Sequence, residues 1–313
     1  MAGDWPTQVA YQDALQNPRL AFTDTELAAS AIADLTPFGL PQAVSGQYAN
    51  VYRLTTPDGR RLAVRLFLRD LPGREVVYQT FAAHIAALGV APDWFVPCTY
   101  QARGIRIGKQ HFPLVVMPYI TGEPLNHYIS AHLTNPSRLR DLLGRFVTMA
   151  DSLAALQVAH GDLQHGNILV EPDTGELRLI DYDGVFVPAL GKRTGSEIGH
   201  PAYQHSARRP GDYGIFMDRF SVLVIYSALV ALSHAPELWY RFDNGDNLLF
   251  TRDDFAAPLT SRTFKIMSEH YDSEVRNIGR RLQEISRHSL RQIPDLGSML
   301  MRSGYNPTPF GTP

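Results

Sequence analysis

The sequence predicts an α+β protein with two lobes, and two changes of pattern along the chain support this. Residues 47–67 alternate between apolar and polar around a turn at Pro57-Asp58-Gly59, which is the period of β-strands. After Pro124 the pattern becomes helical, and the apolar stripe over 139–158 covers about five helical turns. A strand-rich first third followed by a helical remainder is typical of α+β proteins. A chain of 313 residues is also close to the useful limit of one core.

The remaining elements are assigned in chain order from their periodicity. Residues 1–38 form a polar N-terminal extension with short helices around 11–15 and 24–33, the second capped by Thr23 or Asp24. The hairpin of 47–67 is followed by a helix over 73–88 and by strands near 96–108 and 112–120. Residues 160–185 read as short strands and turns, 186–212 as a loop, and the chain from 218 as helical. Residues 303–313 are predicted to be a flexible tail.

Charge and composition argue against several classes of protein. With 29 Lys and Arg against 31 Asp and Glu, the formal net charge is −2, which argues against nucleic acid or an anionic membrane as partner. Lys109, Lys192 and Lys265 are the only lysines, so any mechanism that needs an ammonium group must use one of them. The single cysteine, Cys98, argues against a disulfide framework and a cysteine metal site.

The sequence predicts neither a signal peptide nor a membrane span. The N-terminus has no basic region followed by an apolar run. The most apolar segment, 220–232, is too short to cross a bilayer, which takes about 20 residues. We therefore expect a buried core helix at this segment and a cytoplasmic protein.

The polar residues most informative about chemistry lie between 160 and 184. Asp162 and Asn167 are five residues apart in a predicted loop, and Asp181 ends the following strand. One carboxylate can orient a hydroxyl and take its proton, while an amide oxygen and a second carboxylate can hold Mg²⁺ on nucleotide phosphates. This pattern favours phosphoryl transfer. The alternatives are that all three are turn residues, or that the pairs His160/His165 or His200/His205 bind a metal.

This segment resembles the protein-kinase-like superfamily, in which the catalytic loop reads H-x-D-x-x-x-x-N and the metal loop D-F-G. The resemblance implies a two-lobed protein-kinase-like fold, with a small β-rich N-lobe at 39–119 and a large helical C-lobe at 120–302. It also implies that Asp162 is the catalytic base, that Asn167 and Asp181 bind Mg²⁺, and that His160 is structural.

The N-lobe departs from the family pattern at two places. Residues 44–51 resemble the glycine-rich loop G-x-G-x-x-G-x-V, but only Gly46 is a glycine. Arg65 replaces the strand lysine that contacts phosphates, with Glu75 or Gln79 as its helix partner; alternatively it points to solvent. The resemblance implies that ATP is bound by Gly46, Ala49, Val51, Ala63, Arg65, the gatekeeper Met117, the hinge residues Pro118, Tyr119 and Ile120, and Leu169 under the adenine.

In the predicted C-lobe, residues 199–205 resemble the end of an activation segment, although the A-P-E tripeptide is absent. Asp218 resembles the aspartate of D-x-W-S, which holds the catalytic-loop backbone; alternatively it is a simple helix N-terminal carboxylate. Gly161 replaces the arginine of H-R-D, so we expect no switching through a phosphorylated activation loop. Asp183 replaces the family's glycine, a pattern also seen in aminoglycoside- and choline-kinase-like enzymes.

The sequence therefore predicts an ATP- and Mg²⁺-dependent phosphotransferase, specifically a bacterial-type Ser/Thr protein kinase that acts on a protein hydroxyl. One alternative is a small-molecule kinase of the aminoglycoside- or choline-kinase type. The other is a pseudokinase that serves as a binding module, which Arg65 and the poor glycine loop favour. Residues 5–18 look like bacterial kinase-like proteins found with phosphatase and von Willebrand A-domain proteins, and this implies such a partner.

Overall fold

The computed structural model describes residues 5–46, 48–195 and 197–302. It confirms the predicted α+β class. The chain divides into two compact units. Unit 1 contains the residues up to Val90 together with Val96–Thr121, and unit 2 contains Ala91–Phe95 together with the residues from Gly122 onward. The predicted tail at 303–313 lies outside the described residues.

Unit 1 contains an antiparallel sheet in which the predicted hairpin is confirmed. Its strands are β1 (Ala31–Ile32), β2 (Val44–Ser45), β3 (Ala49–Thr55), β4 (Arg61–Phe67), β5 (Thr99–Ile107) and β6 (Gln110–Pro118). The order is β1-β3-β4-β6-β5, and β2 also pairs with β3. In the hairpin of β3 and β4, Val51 lies opposite Arg65.

The N-terminal helices pack against this sheet. They are α1 (Gln8–Leu15), α2 (Pro18–Ala21) and α3 (Thr25–Ala29). Tyr11, Leu15 and Leu27 are buried in the same core as the sheet residues Leu54 and Val64. The predicted N-terminal extension is therefore part of the core of unit 1.

The second N-terminal helix is shorter than predicted. As predicted, Asp24 caps α3, and its Oδ1 accepts the N–H groups of Glu26 and Leu27 at 2.9 and 3.1 Å. The prediction of helix to residue 33 is wrong, because Ser30 is extended and Ala31 pairs with Thr55 in the sheet. Pairing with β3 takes the backbone donors and acceptors that a longer helix would have used.

Helix α4 (Arg74–Ala86) follows the hairpin and confirms the predicted helix of 73–88. It begins after Gly73, which has a φ of 81°. Its buried positions are Arg74, Val77, Tyr78, Phe81 and Ile85, spaced at the helical repeat. Its opposite face is exposed, which matters for the residues predicted to pair with Arg65.

Unit 2 is mostly helical, with one small sheet. The sheet has the order β7 (Glu123–Pro124), β8 (Ile168–Val170) and β9 (Leu177–Leu179). The helices are α5 (Leu125–His132), α6 (Pro136–Ala155), α7 (Arg219–His234), α8 (Glu237–Phe242), α9 (Arg252–Ala256), α10 (Arg262–Ser268), α11 (Ser273–Ile285) and α12 (Leu296–Arg302). Short 3₁₀ turns occur at His165–Asn167, Tyr182–Gly184, Pro188–Leu190, Pro201–Tyr203 and Leu290–Gln292.

Helix α7 is the core helix that the apolar segment 220–232 predicted. Almost all of its residues are buried, and α6 and α11 both pack against it. A helix that is apolar on all sides is expected to be surrounded by protein in this way. Over the ranges that the structure describes, no helix combines the length and the apolar composition needed to cross a membrane.

Candidate functional site

The residues predicted to carry the chemistry lie on two adjoining loops of unit 2. After α6, Ala159 pairs with Phe186 in both directions, with N···O distances of 3.0 and 2.7 Å. The chain then forms the Asp162 loop, residues 160–167, which leads into β8. The second loop begins at Asp181, just after β9. The N–H of Ile180 donates to the carbonyl of Asn167 at 3.1 Å, so the backbone beside Asp181 is bonded to the end of the Asp162 loop.

The carboxylate of Asp162 is held on both of its oxygens. Oδ1 accepts the backbone N–H of His200 at 2.6 Å, and Oδ2 accepts Nδ2 of Asn167 at 3.0 Å. Nδ2 of Asn167 also donates to the carbonyl of Asp162 at 2.9 Å. Burial raises the pKa of Asp162, and the Asp181 carboxylate acts in the same direction, whereas the His200 N–H and His160 oppose the rise. Asp162 therefore has a fixed orientation and an increased affinity for a proton.

Asp181 has an unusual backbone conformation, with a φ of 68°. Among the described residues, Asp181 and Gln157 are the only ones other than glycines that have a positive φ. Aspartate tolerates this left-handed region better than most residues, but the conformation still costs about 1 kcal/mol or more. Such strain is found most often at functional sites, where the surrounding structure maintains it.

Asp218 anchors the backbone of the Asp162 loop. Its carboxylate accepts the N–H groups of His160 and Gly161, the second at 2.9 Å, although these residues precede it by 58 and 57 positions. Asp218 is buried at the start of α7 and, within the described chain, makes no capping bond to its own helix. The alternative of a simple helix N-terminal carboxylate is therefore wrong.

The geometry of the Asp162 loop accounts for the glycine at position 161. Gly161 has a φ of +87°, and a Cβ atom there would lie 2.3 Å from the carbonyl oxygen of Gly184. Both the backbone conformation and the close approach exclude any side chain. Because of the path of this loop, an arginine could not be placed here without moving the loop.

An aromatic and histidine cluster next to Asp162 was missed by the sequence analysis. Nδ1 of His165 shares a hydrogen bond with the Tyr203 hydroxyl at 2.6 Å, and burial, with the nearby His200, lowers the pKa of His165 to about 4. Nε2 of His200 bonds Oδ1 of Asp246 at 2.9 Å. The rings of His165, His200 and Tyr203 lie 5.4 to 5.9 Å apart. In the sequence, the His200-Pro201 segment is the signal that could have indicated this cluster. In the structure, the same segment supplies the N–H that bonds Asp162.

The histidine pairs considered as metal sites have protein partners instead. Nε2 of His160 bonds the carbonyl of Ile180 at 2.8 Å, which fits the structural role implied for it. Nε2 of His205 bonds the carbonyl of Ser286 at 3.2 Å. Within the residues that the structure describes, no group of three or more His, Cys, Asp or Glu side chains could hold a metal ion.

The donor atoms near Asp162 do fit Mg²⁺ shared with a nucleotide. Because Nδ2 of Asn167 donates to Asp162, its Oδ1 is the atom available as a ligand. With the Asp181 carboxylate this gives two hard oxygen ligands, and Mg²⁺ typically takes one or two protein oxygens and completes its shell with water and phosphate. Asn167 and Asp181 would hold the ion.

In unit 1 the turn that resembles a glycine-rich loop is closed by its own backbone. The N–H of Gly46 donates to the carbonyl of Ala49 at 2.9 Å, so this amide is already used. Ala49 is buried and Val51 half-buried in β3. Gln47, also part of this predicted loop, lies outside the described residues. Of the described residues of this turn, Gly46 therefore does not offer a free amide to phosphate.

The residues predicted to bind adenine are placed as follows. Ala63 and Met117 are both buried and lie opposite each other across β4 and β6, which gives an apolar surface suited to a base. Pro118 ends β6, and the N–H of Tyr119 donates to the carbonyl of Arg61 at 2.9 Å. The next residue, Ile120, is half-buried. Leu169, in unit 2, is half-buried in β8 between its strand partners Pro124 and Arg178.

Arg65 is buried, so the alternative of a solvent-facing arginine is wrong. Only 8% of its surface is exposed, and its guanidinium lies 5.8 Å from the ring centre of Phe67. Arg74, which the sequence analysis missed, lies 3.6 Å from the same ring. Glu75 and Gln79 are exposed and bonded to each other at 3.0 Å. The buried face of α4 therefore presents Arg74, whereas Glu75 and Gln79, the residues predicted to pair with Arg65, lie on its exposed face.

Comparison with known proteins does not assign the chain to a family. No protein-family model matches the sequence, and no curated protein matches it.

Proposed function

We propose that the protein is an ATP- and Mg²⁺-dependent phosphotransferase with a two-lobed protein-kinase-like fold, transferring the γ-phosphate of ATP to a protein hydroxyl. The observation that carries the proposal is the double anchoring of the Asp162 loop: Asp218 bonds its backbone, and Asn167 bonds its carboxylate. A cytoplasmic location, a protein substrate and a phosphatase or von Willebrand A-domain partner stay predictions from the sequence.

In this proposal Asp162 orients the acceptor hydroxyl and takes its proton as the oxygen attacks the γ-phosphorus of ATP. The bond from that phosphorus to the oxygen bridging it to the β-phosphate breaks, and ADP leaves. Its bonds to His200 N–H and Asn167 Nδ2 fix the direction of the carboxylate before substrate binds. Its raised pKa makes it a better base than a solvent-exposed aspartate. Mg²⁺, when bound, would neutralise the charge that develops on the transferred group. Asn167 and Asp181 would supply the oxygen atoms that hold the ion.

The nucleotide would be bound by the residues named from the resemblance, with Arg65 as the cation for the phosphates. A guanidinium can bond two phosphate oxygens at once, in place of the single ammonium of the family. The apolar pair of Ala63 and Met117 suits the adenine. Val51, the hinge residues 118–120 and Leu169 complete the proposed set.

The test is a transfer assay with labelled ATP and Mg²⁺ that compares the wild type with Asp162→Asn. Loss of the base should lower phosphate transfer to the protein itself or to a generic protein substrate about 10²–10⁴-fold. Asp173→Asn, an exposed carboxylate in the turn between β8 and β9, is the matched control and should keep full activity. Equal transfer by Asp162→Asn and wild type would remove Asp162 from the base role.

A second candidate function is a pseudokinase that acts as a binding module, and unit 1 favours it. The Gly46 N–H is already bonded to Ala49, and Glu75 is exposed. A pseudokinase of this kind should show no transfer in the assay above. A shift in melting temperature with Mg²⁺-ATP but no transfer would favour it over the enzyme.

A third candidate is a kinase for small hydroxylated molecules, which Gly161 and the buried Asp183 favour. The anchoring by Asp218 opposes it, because this feature belongs to the protein-kinase resemblance. The same assay separates the two when aminoglycosides and choline are offered beside a generic protein. Labelled small molecule without labelled protein would decide for this candidate.

A further inference from the structure

Unit 2 also contains a cavity of about 220 Å³, which lies between residues 204–220 and the turn at 290–293. Its walls are largely apolar, and two guanidinium groups also line it. The residues that matter here are Phe216, Met217, Phe220 and Ile293 with Arg208 and Arg291. The proposed phosphotransfer chemistry uses none of them.

Arg208 gives this cavity a buried positive charge. Only 5% of its surface is exposed. Its guanidinium donates to Oε1 of Gln204, to the carbonyl of Met217 at 3.4 Å and to the carbonyl of Gly161 at 3.3 Å. All three acceptors are neutral oxygens. A guanidinium bonded only to neutral oxygens can still form the stronger, charge-assisted hydrogen bond that an anion offers.

Among the described residues, the acceptors of the Arg208 guanidinium include no carboxylate. Asp212 is the one carboxylate among the lining residues, and its Oδ2 accepts the backbone N–H of Arg209 at 2.8 Å. Burial lowers the pKa of Arg208, and the carboxylates of Asp218, Asp162 and Asp212 oppose this through space. Arg291, which is exposed, adds a second positive group at the wall.

We propose that this cavity binds a small carboxylate whose body is aromatic or aliphatic, with the carboxylate on Arg208 and the body against Phe216 and Ile293. The volume is below the roughly 300–1,000 Å³ typical of drug-sized ligands, so the ligand is small. The bond from Arg208 to Gly161 links the site to the Asp162 loop. The proposal goes beyond the proposed function and does not depend on phosphate transfer.

The test is a calorimetric titration of the full chain with benzoate, repeated with benzamide, which has the same shape and no charge. We expect saturable binding of benzoate, at least about tenfold tighter than that of benzamide. Arg208→Met should weaken benzoate binding by about the same factor. Arg209→Met is the matched control, because the Arg209 side chain is exposed next in the chain, and it should bind as the wild type does.

A further variant keeps the test decisive if Arg208→Met fails to fold, which circular dichroism would show. Phe216 is 64% exposed, so Phe216→Ala should fold, and it should weaken benzoate binding by removing apolar contact. Equal binding of benzoate and benzamide, absence of saturable binding, or unchanged affinity in Arg208→Met or Phe216→Ala would each overturn the proposal.

Discussion

The predicted functional residues of the two units differ in how firmly hydrogen bonds hold them in place. In unit 2, Asp162 is bonded on both oxygens, and its loop is bonded to Asp218 through two backbone N–H groups. In unit 1, the Gly46 N–H is bonded within its own turn. Glu75 is exposed, and the charged residue on the buried face of α4 is Arg74.

The difference shows where the proposed chemistry is preorganised. Groups that must direct a proton need fixed positions before the reaction, and unit 2 supplies them through its own hydrogen bonds. Unit 1 departs from the family pattern in the groups that would hold phosphate. The proposal of an enzyme is therefore supported mainly by unit 2, and the alternative of a pseudokinase mainly by unit 1.

The largest effect on stability is expected at Gly161, in the preorganised loop of unit 2. Gly161→Ala introduces a Cβ 2.3 Å from the Gly184 carbonyl oxygen at a φ of +87°, and should lower the free energy of unfolding by about 3 kcal/mol or more. Gly211→Ala is the control, because a Cβ there meets nothing within 4 Å. Urea denaturation of both variants measures the difference. A similar midpoint for both would show that the loop is not rigid.

The next largest effect is expected at Asp218. Asp218→Asn replaces a buried carboxylate that accepts two N–H groups, and should cost about 2–3 kcal/mol of unfolding free energy and lower phosphate transfer. Asp272→Asn is a matched control. Asp272 also accepts two backbone N–H groups, at 2.8 and 3.1 Å, but it caps its own helix α11, where asparagine serves equally well. Equal losses in the two variants would mean that Asp218 does not anchor the Asp162 loop.

A smaller, pH-dependent effect is expected at His165. Its pKa of about 4 in the folded protein lies below the ordinary value of 6.5, so the unfolded chain takes up the proton first. Its contribution to stability is complete above pH 6.5 and is lost as the pH falls towards 4, by at most about 3 kcal/mol. Unfolding free energies measured from pH 7.5 to 4.5 should fall less steeply for His165→Gln. Parallel curves would contradict the burial of a neutral His165.

The smallest effects are expected in unit 1, where Arg65 is the residue to test. Arg65→Met should weaken Mg²⁺-ATP binding about tenfold if the guanidinium contacts phosphate. Glu75→Gln, the control on the exposed face of α4, should leave both binding and stability unchanged within about 0.5 kcal/mol. Titration calorimetry measures both. An unchanged affinity in Arg65→Met would assign Arg65 a structural role and favour the pseudokinase.

Local pattern was enough to predict much of the fold. The alternation of apolar and polar residues predicted β3 and β4, and the apolar stripe over 139–158 predicted α6. Each pattern is informative because strands and helices bury one face, with repeats of two and 3.6 residues. The apolar segment 220–232, interrupted only by Ser221 and Ser227, predicted α7 as a buried helix. The spacing of Asp162 and Asn167 was also sufficient to predict a loop that carries functional polar side chains, since the two residues are only five positions apart.

These elements, and the residue types of the Asp162 loop, could be predicted from local sequence alone. Tertiary structure decided which groups hold that loop: Asp218 lies 57 positions from Gly161, and Arg208 lies 47 positions from it. It also decided that Arg74 rather than Glu75 is buried on α4. Periodicity reports only on neighbours within a few turns, whereas a buried charge is positioned by whichever distant donors and acceptors the packed chain brings within hydrogen-bonding distance.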